Sequence, residues 1–263
     1  MSDIRPFPTR LLRRPSEDAE ARVFCFPYSG VGGSMFSQWP RAIGTAEVCP
    51  IQLPARENRV REPHYGTYQE LAAELVEQLL PYLDRPFVLF GHCAGALPAF
   101  ETAALLAERG LPLPHRLVVS AQVPPHHCPR DRFLDMDDEQ LGRELGRIIV
   151  ERGGEPHPAL IELTLEVLHQ DLDANRVYRR PSPLVLPVGV TALHWADDEE
   201  ITPEQIRPWR EYSSDVRFSV LDGGHYAFLS APQQLMDLFA ALLAEPRSPE
   251  PSGAGSGHTG GHG

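Results

Sequence analysis

Residues 86–110 read PFVLFGHCAGALPAFETAALLAERG. Phe87 to Phe90 form a short apolar run, GHCAG is a glycine-flanked turn, and the alanine- and leucine-rich stretch after it reads as a helix closed by Gly110. So short and apolar a strand fits a sheet covered on both faces. A nucleophile between two glycines, at a strand-to-helix turn, is the pattern of a nucleophile elbow. The turn is tight enough that only small residues fit two positions either side of the nucleophile. It lifts the side chain of Cys93 out of the sheet and sets it at a helix N-terminus. There the backbone N–H of Ala94 points at a developing oxyanion. The plainer reading is a small buried thiol in an ordinary turn, since free cysteine packs as a hydrophobe.

The neighbouring segments alternate between strand and helix. RVFCF at 22–26 is a buried strand that ends in the glycine-rich FPYSGVGGS, and a helical stretch is expected to follow to about residue 43. The apolar segment AEVCPIQL comes next. An amphipathic helix at 67–82 then places Leu71, Leu75, Leu79 and Leu80 on one face. RLVVSA at 116–121, VGVTALHW and VRFSVL are further strands, with helices near 203–212 and 232–244. The span 131–180 breaks the alternation with two helices, 137–151 and 158–175, and no strand between them.

Strands alternating with helices imply an α/β fold, a mostly parallel sheet with helices on both faces. Its core takes residues 21–130 and 181–245. The span 131–180 is expected as a helical lid insertion above the strand ends, where such sheets bind ligands. Residues 1–20 form an N-terminal segment. Residues 246–263 are low-complexity and expected to be disordered.

Two further signals support the elbow. DGGHYAFL at 222–229 places His225 in a glycine-rich loop after a strand and before the last helix. LHWADDEEIT at 193–202 puts Asp197 and Asp198 just past another strand end, where either acid reaches that histidine. Nucleophile, acid, histidine is the chain order of the α/β-hydrolase fold. FPYSGVGG at 26–33 follows the first core strand, where these folds supply a second oxyanion N–H. The backbone of Ser29 is assigned that role, with Tyr28 as fallback. A dinucleotide-binding reading fails, because G-x-G-x-x-G requires glycine where Met35 stands.

Composition narrows the partners. The chain has 263 residues, a formal net charge of −12 and 24 basic residues, all arginine. An acidic chain of this kind argues against nucleic acid, which needs a clustered basic surface. No apolar run reaches membrane-spanning length, and the N-terminus lacks the pattern of a secretory signal. Cys25, Cys49, Cys93 and Cys128 show no C-x-x-C spacing, so a cytoplasmic, reduced setting is expected. His126, His127 and Cys128 lie together on a proline-flanked loop, but no fourth ligand is in view and no metal is assigned. Arg176, Arg179 and Arg180 read as a solvated helix end more readily than as a surface for an acidic partner. His92 is expected to pack under the elbow.

FPYSG, LPARENR, GHCAG, the L-x-Q-D-L-x-A-x-R-x-Y-R pattern within 168–179, TALHWADDEEIT and LDGGHYAFL together resemble the type II thioesterases. These are stand-alone α/β-hydrolases that serve polyketide and nonribosomal peptide synthetases, and the resemblance runs from about residue 20 to 244. It implies a substrate held as a thioester on the phosphopantetheine arm of an acyl or peptidyl carrier protein. It also implies Cys93 as nucleophile, His225 as base, Asp198 as acid, and the N–H groups of Ser29 and Ala94 as oxyanion donors. No cofactor is called for beyond the phosphopantetheine that the substrate itself carries.

Two positions depart from the family's pattern. Serine usually stands where Cys93 is, and glycine where Trp195 is. The cysteine opens a second outcome, transfer of the acyl group to an amine, alcohol or thiol rather than to water. A dienelactone-hydrolase-like esterase is a third reading, against which FPYSG and LHQDLDANRVYR count. A non-catalytic carrier-protein-binding partner is the fourth, against which Asp198 and His225 count. The helix N-terminus and His225 are both expected to favour the Cys93 thiolate.

Overall fold

The computed structural model describes residues 10–151 and 154–245. The expected tail at 246–263, and the first part of the N-terminal segment, lie outside the described residues.

Seven strands form one sheet: β1 (Ala21–Phe26), β2 (Ala42–Ile43), β3 (Ala46–Pro50), β4 (Phe87–His92), β5 (Arg116–Ser120), β6 (Gly189–Trp195) and β7 (Val216–Leu221). Their order is β2-β3-β1-β4-β5-β6-β7. Every pairing is parallel except β2 with β3. The strand order reverses beside β1 and β4, so the turns leaving those two strands flank the crevice where open α/β sheets bind ligands.

Alternation along the strands builds a core on each face. Phe24, Phe26, Phe87 and Leu89 pack on one side with Leu71, Leu75 and Leu79 of α1 (Tyr68–Leu79) and with Leu97 and Phe100 of α2 (Ala96–Glu108). Val23, Cys25, Val88 and Phe90 face the other way, onto Trp39 and onto Leu235 and Phe239 of α6 (Gln233–Ala244). A capping box starts α1, with the Thr67 side chain accepting the Glu70 N–H while Glu70 reaches back to Thr67.

Two local expectations need correction. The stretch to residue 43 holds a 3₁₀ turn at Gly33–Phe36 and the short strand β2, not an α-helix. Gly32, Gly33 and Pro40 leave too little uninterrupted helix-forming sequence there. The amphipathic helix ends at Leu79, because Pro81 tightens the next turn, and Leu80 is turned to solvent.

The span between β5 and β6 contains α3 (Asp138–Glu151) and α4 (Pro158–Val177) and no strand among the described residues. These helices have a small core of their own, in which Phe133, Leu141, Leu145 and Ile148 meet Leu168 and Leu172. Among the described residues outside this span, Tyr226, next to His225, is the one that packs against it. A short α5 (Pro203–Ile206) follows β6. No helix among the described residues is long and apolar enough to cross a membrane.

Candidate active site

Cys93 has φ +50, a left-handed conformation that a non-glycine residue adopts only when its surroundings impose it. The two elbow glycines show what imposes it. A Cβ on Gly91 would lie 2.3 Å from the carbonyl oxygen of Gly95, and one on Gly95 2.6 Å from the carbonyl oxygens of Phe26 and Pro27. The turn after β4 is thus wedged against the turn after β1, and neither glycine can carry a side chain. This close approach sets Cys93 above the sheet, half-buried, at the start of α2.

Beneath it, His92 is buried as expected. Its ring stacks on Phe228 at 3.9 Å, and its Nδ1 lies 3.0 Å from the Ser120 hydroxyl. Trp195 donates its indole N–H to the same hydroxyl at 3.0 Å. The residue that departs from the family's usual glycine therefore fills the floor under the elbow. Burial, and then the neighbouring His225, push the His92 imidazole toward its neutral form.

Asp198 and His225 meet. Nδ1 of His225 lies 2.9 Å from Asp198 Oδ2, and both residues are buried. The other carboxylate oxygen accepts the N–H groups of Glu200 and Ile201, which fixes the acid's direction. Burial alone would raise the Asp198 carboxyl; the hydrogen bond and charge of His225, with those two N–H groups, hold it below the usual range. Asp197 is exposed and turned away. Among the described residues, the buried His225 Nε2 has no hydrogen-bond partner.

Cys93 and His225 line one cavity of about 200 Å³. Its walls are polar, with Asp131, Asp135, Glu200, Arg130 and Arg132 among the lining residues. Burial, then the charges of Asp131 and Glu200, raise the Cys93 thiol well above its ordinary value, and the Ala94 N–H offsets this only in part. The direction of this shift runs against the thiolate expected from the sequence. Burial is the larger cause, and carboxylates from segments remote in sequence add to it.

Ser29 and Ala94 come together along a second, narrow cleft of about 10 Å³, which Tyr28 also lines. The Ser29 hydroxyl donates to Asp131 Oδ2 at 3.3 Å, linking this cleft to the cavity of Cys93 and His225. A larger, mainly apolar groove of about 740 Å³ runs from Gly30 between the 55–64 loop and the helices α3 and α4.

Several site residues carried no sequence signal. Glu200 Oε2 lies 3.5 Å from His225 Nε2, and Arg132 reaches Glu200, Glu144 of α3 and the Tyr226 hydroxyl. Only the run of four acids at 197–200 could have hinted at Glu200. Asp131 and Arg132 lie in a loop without periodicity.

The remaining candidates have structural partners. His126 bonds the Tyr212 hydroxyl through its N–H and ring, and the Cys128 thiol leans on the Pro124 carbonyl. Arg180 pairs with buried Glu101, Arg176 with Asp173, and Arg179 donates to backbone carbonyls at the end of α4. These arginines cap and staple the helix end.

A family model described as a thioesterase domain matches residues 21–243. The chain belongs to the thioesterase family. This thioesterase is 32% identical over 246 residues to a probable cadicidin biosynthesis thioesterase of Streptomyces griseus, covering 92% of this chain and 67% of that one. It is similar in structure to the RedJ thioesterase of the prodiginine pathway in Streptomyces coelicolor, with 33% identity, a TM-score of 0.74, and 86% and 91% of the two chains covered. It is also similar to the type II thioesterase BorB of the borrelidin biosynthetic cluster, with 26% identity, a TM-score of 0.78, and 91% and 99% covered. Sheet and helices match these neighbours, so the α/β-hydrolase architecture expected from the sequence holds for this thioesterase.

Proposed function

We propose that this thioesterase acts on acyl groups carried as phosphopantetheine thioesters on acyl or peptidyl carrier proteins in polyketide or nonribosomal peptide biosynthesis. The observation that carries the reading is the elbow thiol of Cys93 sharing a cavity with His225, whose Nδ1 is held by Asp198. The names of its relatives supply the pathway.

With the Cys93 thiol pushed up by burial and by Asp131 and Glu200, His225 Nε2 takes its proton as the sulfur attacks the thioester carbonyl. Asp198 steadies the imidazolium that forms. The oxyanion lies between the N–H groups of Ser29 and Ala94, each such donor typically worth about 3 kcal/mol. The bond from carbonyl carbon to pantetheine sulfur breaks, and His225 returns the proton to that leaving thiolate. An acceptor then gives its proton to His225 and attacks acyl-Cys93, and the enzyme thiol leaves reprotonated. Helices α3 and α4 serve as the lid, and the apolar groove beneath them takes the acyl chain or the pantetheine arm.

A specific feature favours transfer to an amine over hydrolysis. Glu200 lies beside His225 Nε2, so a cationic amine is drawn to that carboxylate, gives up one proton to solvent, and as the neutral amine attacks while its second proton passes to His225. Acyl-Cys93 is itself a thioester, so the acyl group keeps its activation toward amines, whereas a serine elbow would hold a less reactive oxoester. The test follows an acylated carrier protein by intact mass while an amine is titrated, with wild type and Cys93→Ser in parallel. Wild type is expected to strip the carrier and to yield more amide relative to free acid than the serine form does. A carrier that keeps its acyl group as long as it does in buffer overturns the enzymatic reading and leaves a carrier-binding partner. An equal or reversed product ratio returns the protein to plain hydrolysis.

A further inference from the structure

Three stretches that carry the family resemblance, FPYSG, LPARENR and the pattern within 168–179, converge on one carboxylate. Asp171 of α4 is buried and accepts five hydrogen bonds. Its Oδ2 takes the backbone N–H of Gly30, from FPYSG, at 2.7 Å and Arg56 Nη1, from LPARENR, at 2.7 Å. Its Oδ1 takes Arg56 Nη2, His64 Nε2 and the Tyr65 hydroxyl, each at 2.8 Å. The Gly66 N–H donates to His64 Nδ1, so His64 offers Asp171 the hydrogen on Nε2. Arg56 in turn holds the carbonyls of Val31 and Pro54.

A buried ion pair of this kind adds little net stability over apolar packing of similar volume. What it adds here is direction. With its N–H committed to Asp171, Gly30 is removed as an oxyanion donor and the Ser29–Gly30 peptide cannot rotate. Ser29 is clamped on its other side, where its hydroxyl donates to Asp131. Leu168, one turn before Asp171 on α4, packs on Gly30, where a Cβ would come within 3.3 Å of it. Both clamping carboxylates thus belong to the span that carries α3 and α4, and the loop they hold is the one proposed to stabilise the oxyanion.

We propose that Asp171 is a positioning residue that aims the Ser29 N–H into the cleft it shares with Ala94, so that acylation of Cys93 requires α4 to be seated on the turn after β1. The proposal rests on the reading of Ser29 as an oxyanion donor to acyl-Cys93 chemistry. Asp171 hydrogen-bonds neither Cys93 nor His225, and acts through Gly30.

Two reactions of the same sulfur separate this role from a merely structural one. Attack on a thioester needs the oxyanion donors, whereas alkylation by iodoacetamide at a saturated carbon does not. Acylation of Cys93 by an S-acyl pantetheine and its alkylation are measured on wild type, Asp171→Asn, Asp171→Glu and Tyr65→Phe. Asp171→Asn is expected to slow acylation by about 100-fold or more, the scale of losing one oxyanion donor, with alkylation unchanged within about twofold. Asp171→Glu keeps the charge and the partner arginine but displaces the acceptor from Gly30. It is expected to show the same split, and so carries the test should the asparagine variant not fold. Tyr65→Phe leaves the Gly30 bond intact and should acylate like wild type. Unchanged acylation in the Asp171 variants, or acylation and alkylation falling together, overturns the proposal. A wild type that is never acylated at Cys93 instead overturns the proposed function, and is read before any variant.

Discussion

Asp198 brings a carboxylate oxygen to within 2.9 Å of His225 Nδ1, while Asp197, one residue earlier, points into solvent. Only a carboxylate at the first position holds the imidazole in the tautomer whose Nε2 can take a proton. Asp198→Asn is therefore expected to lower the rate constant of deacylating a carrier on the order of 10⁴-fold, the loss known for such a change in a serine protease. Asp197→Asn should stay within a few-fold of wild type in the same steady-state assay, and equal losses would move the acid by one residue. At Cys93 burial, and after it the neighbouring charges, set the pH dependence. The thiol is raised by burial and by Asp131 and Glu200, so the thiolate is scarcer at neutral pH than in a free cysteine. Alkylation should keep accelerating beyond about pH 8.5, the ordinary thiol value, and a plateau below pH 7 would reveal a thiolate–imidazolium pair instead. Cys93 should still be labelled before Cys25, Cys49 and Cys128 in peptide mapping, because those three are buried and raised as well. Its advantage is access to the cavity, not ionisation.

The elbow between β4 and α2 depends on two backbones approaching more closely than any Cβ allows. Gly91→Ala would drive a methyl group into the Gly95 carbonyl and the Ala96 backbone, neither of which can swing aside. A loss of about 3 kcal/mol or more is expected, at the upper end of overpacking costs, read as a lowered denaturation midpoint. A variant as stable as wild type would mean that the turn is looser than described. This element was legible in the sequence because its requirement is local: a short apolar strand, glycines at fixed offsets and a helix. The loops that carry Asp198 and His225 were legible for the same reason, each lying just past a strand end, whereas the choice of Asp198 over Asp197 came from the family resemblance. The clamp at Asp171 was not. Its donors come from residues 30, 56, 64 and 65, separated by loops whose paths no periodicity records. The charge around Cys93 was missed on the same ground, since Asp131 and Glu200 arrive from different connections. Helix ends failed where proline intervened, as at Leu80.

Over the whole molecule, buried carboxylates act in opposite senses as pH changes. Asp171 and Asp198 are held below the usual range, so their contribution to folding is complete above about pH 4 and is lost as pH falls through their lower folded values. Asp131 is raised by burial, so its penalty appears as pH rises from about 4 through its folded value. Asp131→Asn is accordingly expected to raise Tm at pH 7 to 8 by about 2–4 °C, the scale of 1 kcal/mol in a chain this size. That gain should vanish near pH 4, and a destabilised variant at neutral pH would show that the hydrogen bonds of Asp131 outweigh its desolvation. Under the proposed function, sheet, elbow and helical span serve one event, the passage of an acyl group through Cys93. The most direct measurement mixes the protein with an acylated carrier protein, quenches in acid within milliseconds to seconds, and reads intact mass followed by peptide mapping. An adduct of the acyl mass on the peptide containing Cys93, formed before product and absent from Cys93→Ala, is the result expected. Deacylation of the carrier by Cys93→Ala at the wild-type rate, or an adduct on any other residue, would contradict the account.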